Sequence, residues 1–306
     1  ALRTSMRVSR PGELRFLDPS VIARLATLEL RARTIVEGFL SGLHRSPLKG
    51  FSVEFAEYRQ YLPGDDLTTI DWKVFARSNR FVVRKHEEET NLRGFLLLDV
   101  SGSMTYGSGS LTKLEYACTL AASLAYLMQR QRDAAGLVTF DDQIRGLVPP
   151  SIRPGHLSAV LHALDAIVPG TRTDTRRPLA QIADAMSSRG LVVLISDLLD
   201  EPSSIVTGLR HLRSRGSDVL VFHVLDTHEL TFPFERPVRF KDLEDGVEVL
   251  AHPHEIRQGY LAAINTLVGD YRRELGAAGI DYQLVDTSKP LDEALLAYLS
   301  TRGRRS

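Results

Sequence analysis

The shortages in this sequence narrow the field before its motifs do. Cys118 is the only cysteine in 306 residues, so no internal disulfide can form. That excludes a disulfide-stapled secreted scaffold and points to a reducing compartment. Net charge is also missing. Lys plus Arg and Asp plus Glu both total 38, a formal charge of zero, which offers no broad electrostatic footprint for nucleic acid or an anionic membrane. Long hydrophobic runs are absent: the longest mostly apolar segment, residues 117–128, is too short to span a bilayer. Residues 1–12 lack the apolar core of a signal peptide. There are no internal repeats and no low-complexity tract. The expectation is a cytoplasmic protein of ordinary globular make-up, 43% hydrophobic and 25% charged, with length for one large domain or two smaller ones.

The chain is organised around residues 93–104. Phe95-Leu96-Leu97-Leu98 is an unbroken apolar run, short enough for a strand buried on both faces of a parallel sheet. Asp99, Ser101, Gly102 and Ser103 follow, turn and cap formers placed where the run stops. Ligands of open α/β sheets bind beyond the carboxyl ends of the strands. Asp99, Ser101 and Ser103 stand at such an end with i, i+2, i+4 spacing, so their oxygens can turn toward one point. One carboxylate and two hydroxyls form a hard, weakly charged oxygen set that suits Mg²⁺ or Mn²⁺. A plain strand-to-helix turn with serine capping accounts for the same residues.

Apolar strand patterns recur at residues 134–140, 191–195, 219–225 and 281–285, with helical patterns at 112–132, 156–167, about 175–188, 203–215, 255–277 and 290–301. Such alternation predicts an α/β fold, a doubly wound, mostly parallel sheet with right-handed crossovers. Residues 143–148 read as a short edge strand, and Gly107-Ser108-Gly109-Ser110 as a flexible link. Residues 227–254 break the rhythm. Phe232-Pro233-Phe234, residues 238–240 and 247–250 look like short strands of a small β insertion, with a hairpin turn at Asp245-Gly246. Near the start, Asp18 reads as a helix cap and Pro19 as the first helical residue, with helical periodicity to about residue 41. Residues 50–55 and 81–85 have strand character. The division is an N-terminal region of residues 1–90 and a main domain of 91–306.

Between the last two strands lie Arg59, Tyr61, Gly64-Asp65-Asp66, Ile70-Asp71-Trp72 and Ala76-Arg77, preceded by Glu54-Phe55 and followed by Leu98-Asp99-Val100-Ser101-Gly102-Ser103-Met104. Alone, these read as a turn and a tryptophan core anchor. Together, in this order, they resemble the signature of the MoxR-associated von Willebrand factor A-type proteins, catalogued as domain-of-unknown-function family fifty-eight, from about residue 50 to near the C-terminus. The Asp-x-Ser-x-Ser stretch resembles their metal-ion-dependent adhesion site. The resemblance implies a von Willebrand A-type Rossmann-like sheet with Mg²⁺ (or Mn²⁺) held by Asp99, Ser101 and Ser103. Thr173, with Thr171 as fallback, and Asp197, often through water, would complete the sphere. It also implies a non-enzymatic protein-binding module working with a MoxR-type AAA+ ATPase, chaperone-like, in assembling or activating client proteins. A partner or client would supply an acidic side chain to the ion.

The enzymatic rival is a Mg²⁺-dependent phosphoryl-transfer hydrolase with Asp99 as nucleophile. Ser101 stands where such enzymes need a second carboxylate, and a hydroxyl is a poor acid or base at neutral pH. No Gly-x-Ser-x-Gly surrounds Ser101 or Ser103, and Thr112-Lys113 lacks the glycine of a phosphate-binding loop. His252-Pro253-His254 is a weak transition-metal signal. His223 reads as a core residue with one satisfied nitrogen, and Cys118 as packing.

Overall fold

The computed structural model describes residues 19–23, 25–45, 58–60, 82–84, 92–170, 175–185, 189–241, 243 and 247–303. In chain order these form α1 (Pro19–Ile22), α2 (Leu28–Arg45), β1 (Tyr58–Gln60), β2 (Val82–Arg84), β3 (Arg93–Asp99), a 3₁₀ turn (Gly102–Thr105), α3 (Lys113–Arg130), β4 (Ala134–Phe140), β5 (Ile144–Ser151), α4 (His156–Asp165) and α5 (Arg176–Ala185). There follow β6 (Leu191–Ser196), α6 (Pro202–Ser214), β7 (Asp218–Leu225), α7 (Thr227–Thr231), β8 (Val238–Lys241), β9 (Glu248–Ala251), α8 (Pro253–Ala277), β10 (Asp281–Asp286) and α9 (Asp292–Gly303).

Six strands make one sheet in the order β10-β7-β6-β3-β4-β5. All neighbours are parallel except β4 and β5, so the expected doubly wound, mostly parallel α/β sheet is present. Its strands are apolar on both faces because both faces are covered. Leu96, Leu98, Val193, Ile195, Leu220, Phe222 and Val224 join a core with α2, α3, α4 and α9. Leu97, Val192, Leu194, Val219 and Val221 join a second core with α5, α6 and α8. The period-two alternation of side chains within each run assigns them to the two cores. β5 is the antiparallel edge, and its Pro149 and Pro150 remove donors from it, which blunts the edge against further pairing.

Three expectations need revision. The N-terminal helical pattern is broken: α1 ends at Ile22 and α2 starts at Leu28, and Arg31 bridges the break by donating to the carbonyls of Leu25 and Ala23 at 3.1 and 3.2 Å. Phe232-Pro233-Phe234 is not a strand. The preceding residues form α7, capped by Asp226 and Glu229, and Phe232 ends it in a left-handed conformation (φ 45°). Ser108, in the stretch expected to be a flexible link, is anchored by its N–H and Oγ to the Asp226 carboxylate at 2.9 and 2.5 Å. The expected hairpin does form from β8 and β9, paired antiparallel. The strand expected at 50–55, the Asp18 cap, the Asp245-Gly246 turn and the signature residues from Tyr61 to Arg77 lie outside the described residues.

Candidate functional site

β3 is flanked by β4, reached by a crossover through α3, and by β6, which begins the opposite half of the sheet. The order therefore reverses beside β3, the place at which open α/β sheets bind ligands beyond the strand ends. The apolar runs stop there at Asp99 and at Ser196-Asp197, all buried. Asp99 Oδ1 accepts from Ser101 N at 2.9 Å, and its Oδ2 accepts from Ser196 Oγ at 2.6 Å. In the second bond the hydroxyl donates, since an ionised carboxylate can only accept, and Ser196 Oγ in turn accepts from Leu198 N at 3.0 Å. Ser101 Oγ and Ser103 Oγ are 3.1 Å apart. The structure thus places Asp99, Ser101 and Ser103 together, with Asp197 on the adjacent strand end.

Thr171 and Thr173 lie outside the described residues. The residues on either side of them are held at the strand ends. Gly170 N donates to Val100 O at 2.7 Å, and any Cβ at Gly170 would collide with the buried Asp141 carboxylate. Thr175 donates through N and Oγ1 to Asp200 at 2.9 and 2.8 Å. Asp141 is turned to structure by Arg145 at 2.6 Å.

Sequence reasoning missed Lys113. The lysine opens α3 behind a Thr112/Glu115 capping box, and its side chain is fully buried. Its Nζ contacts Asp197 Oδ2 at 2.8 Å and Glu229 Oε1 at 2.7 Å. Glu229 was missed with it; its other oxygen accepts from Asp226 N at 2.7 Å. One signal was present. Lys113 heads the apolar stripe of Ala117, Leu120, Ala121 and Leu124, and a charge on the core face of a helix must find a buried partner.

The electrostatics follow from this packing. Burial, reinforced by the Asp197 charge and opposed by the bonds from Ser196 and Ser101, pushes the Asp99 carboxyl up to about 7. Burial alone would lower the Lys113 ammonium, but Asp197 and Glu229 together hold it above its ordinary value. Glu229 is raised by burial, with Lys113 pulling the other way. Fully ionised, three carboxylates share one ammonium, leaving two negative charges uncompensated in a site with little access to solvent. That deficit, beside two convergent hydroxyls, fits a hard divalent cation. Among the described residues no three His, Cys, Asp or Glu side chains form a ready cage, so an ion here would lean on hydroxyls and water.

Other candidates resolve differently. His223 is a core residue: Nδ1 bonds Tyr282 Oη at 2.7 Å, Nε2 is buried without a partner, and burial lowers its pKa to about 4. Cys118 packs against the core, with burial pushing its thiol up to about 12, so it is no nucleophile. His252 and His254 are exposed at the start of α8.

Fold and site define a three-layer α/β domain with acidic and hydroxyl side chains gathered at its switch point. The chain belongs to the family described as "Protein of unknown function DUF58", whose model matches residues 57–266. It is 28% identical over 293 residues to uncharacterized proteins of Mycobacterium tuberculosis and Mycobacterium bovis, covering 94% of this chain and 91% of theirs. Among solved structures it is similar to BatB from Bacteroides thetaiotaomicron (17% identity, 70% of this chain and 100% of that one, TM-score 0.49). It is also similar to an aerotolerance-related membrane protein from Bacteroides fragilis (20%, 68% and 98%, 0.47), and to the SpRpn10 VWA domain (13%, 67% and 94%, 0.37). Among the described residues no helix is long and apolar enough to cross a membrane.

Proposed function

We propose that this protein is a metal-dependent protein-binding module. The observation that carries the reading is the meeting of Asp99, Ser101 and Ser103 with Asp197 at the switch point, with a surplus of negative charge that Lys113 only partly offsets. Mg²⁺ or Mn²⁺ would be held by Asp99, Ser101 and Ser103, with Thr173 (or Thr171) as a further ligand and Asp197 acting through water. A bound divalent ion would supply an electrophilic point for a carboxylate from another protein, a charge-assisted contact made only when that partner arrives. The resemblance in residues 54–104 names the partner as a MoxR-type AAA+ ATPase, in chaperone-like assembly or activation of clients in the cytoplasm. The rival role of Asp99 as a phosphoryl-accepting nucleophile gains nothing from the geometry. The position two residues on, where such chemistry needs a second carboxylate, is Ser101, a poor acid or base at neutral pH.

The direct test is calorimetric titration of Mg²⁺ and Mn²⁺ into the EDTA-treated chain, wild type against Asp99→Ala. Binding by the wild type that the variant loses supports the metal. Equal heats for the two proteins end the proposal. Turnover of p-nitrophenyl phosphate abolished by Asp99→Asn would instead make the protein a hydrolase.

A further inference from the structure

The insertion between β7 and α8 builds a feature that the strand-end site does not use. Phe232, Phe234, Phe240 and Tyr260 form one aromatic cluster. Phe232 stacks on Phe240 (centroids 5.8 Å, 28°) and lies against Tyr260 at 4.7 Å, while Phe234 meets both phenylalanines edge-on at 5.1 and 5.4 Å. Phe232 is buried, but Phe234, Phe240 and Tyr260 keep part of their surface in solvent. They form one wall of a groove of about 410 Å³ that continues to Ser103, Tyr106 and Lys113. One continuous depression therefore runs from the aromatic wall to Ser103, in the turn that follows β3. Val249 pairs with Phe240 across the hairpin, which places it on the same face, and it is 57% exposed. Leu199 and Leu243 stand 42% and 44% exposed on the rim. Two non-glycine residues with positive φ, Leu198 (51°) and Phe232 (45°), hold the backbone on either side. That conformation costs each roughly 1–2 kcal/mol and persists only where packing enforces it. For Leu198 the enforcement is visible: Tyr271 Oη donates to its carbonyl at 3.0 Å.

The polar end of the groove is rich in donors. It offers the Ser103 and Tyr106 hydroxyls, with the exposed Lys241 beside the aromatic wall, while the buried Lys113 ammonium is committed to Asp197 and Glu229. Its carboxylate, Glu229, is already committed, with one oxygen to Lys113 and the other to Asp226 N. With Lys113 and Glu229 paired to each other, the charge this lining presents to solvent is that of Lys241, which favours an incoming acid over a base. We infer that this groove is the docking surface for a short segment of a partner protein in which a large apolar side chain adjoins an aspartate or glutamate. The apolar side chain lies on the Phe234/Phe240/Tyr260 wall, and the acid reaches the strand ends. A single aromatic anchor seated in such a pocket dominates the energy of many interfaces. The inference rests on the proposed role of the strand ends as receiver of an acidic group, and adds to it the apolar half of the recognition.

The test uses the full chain in buffer containing Mg²⁺ and a random heptapeptide library displayed on phage, panned against wild type, Phe240→Ala, Lys241→Glu and Asp99→Asn. Circular dichroism melts establish that each variant is folded. Wild type should enrich peptides with Phe, Tyr, Trp or Leu within two positions of Asp or Glu. The most enriched peptide, labelled with fluorescein, should bind Phe240→Ala at least tenfold more weakly and Lys241→Glu several-fold more weakly. Asp99→Asn should keep the apolar preference and lose the acidic one. Enrichment without this pairing, or binding to both Phe240→Ala and Lys241→Glu within twofold of wild type, would overturn the assignment. So would sedimentation showing that wild type self-associates through the groove while Phe240→Ala does not, because the occupant is then a second copy. An acidic preference that survives Asp99→Asn would overturn the strand-end role and leave the groove standing.

Discussion

Removing the Lys113 ammonium is the sharpest perturbation available. The side chains of Lys113 and Asp197 are both 0% exposed, and Glu229 is 17% exposed. Deleting one member of a buried ion pair leaves an uncompensated charge and costs about 3–5 kcal/mol. Lys113 serves two carboxylates, so Lys113→Met should cost about 4 kcal/mol. At roughly 2–4 °C per kcal/mol for a domain of this size, the midpoint should fall by roughly 8–16 °C. Calorimetric melts in EDTA at pH 7.5 measure this without interference from metal. The double variant Lys113→Met/Asp197→Asn removes both fully buried charges, and Glu229 keeps its contact with solvent. It should therefore recover most of the loss, ending within about 2 kcal/mol of wild type. A single variant that loses less than about 1 kcal/mol, or a double variant no better than the single, would refute the claim that Lys113 is the counter-charge of this site.

Further outcomes follow from the same geometry. Because the Asp99 carboxyl is raised to about 7 and must ionise to hold a metal, Mg²⁺ affinity should fall about tenfold from pH 8 to pH 6; titrations in buffers of different ionisation enthalpy would show the released proton, and a flat profile would contradict the burial of Asp99. His223, lowered to about 4 from an ordinary value of 6.5, favours the unfolded chain whenever it is protonated. Its stability contribution is complete above about pH 6.5 and is lost as the pH falls through about 4, a change of about 3 kcal/mol. Urea titrations across that range should show the loss, and His223→Gln should remove this component. Ser196→Ala strips a donor from Asp99 Oδ2 and an acceptor from Leu198 N, and should cost about 1–3 kcal/mol, measured by chemical denaturation.

Much of the fold was legible because its determinants are local. Phe95–Leu98 and Leu191–Ile195 are apolar without alternation since each strand is covered on both faces, and their polar ends reveal which end opens to a site. Asp99, Ser101 and Ser103 could be read as a set because they share one turn. Spacing misled where it was short. Phe232-Pro233-Phe234 has the period of a strand, but aromatic clustering and the Asp226/Glu229 capping box turn it into the end of a helix and one wall of a groove.

The sequence alone determined the strands of the central sheet and the long helices that cover it, and that a polar oxygen set closes the first central strand. Those follow from periodicity and turn chemistry within a dozen residues. Tertiary structure alone decided that Lys113 meets Asp197 across 84 positions and Glu229 across 116, and that the aromatic cluster lines the same groove as Ser103. A buried charge selects its partner by where the sheet order reverses, and only packing fixes that place.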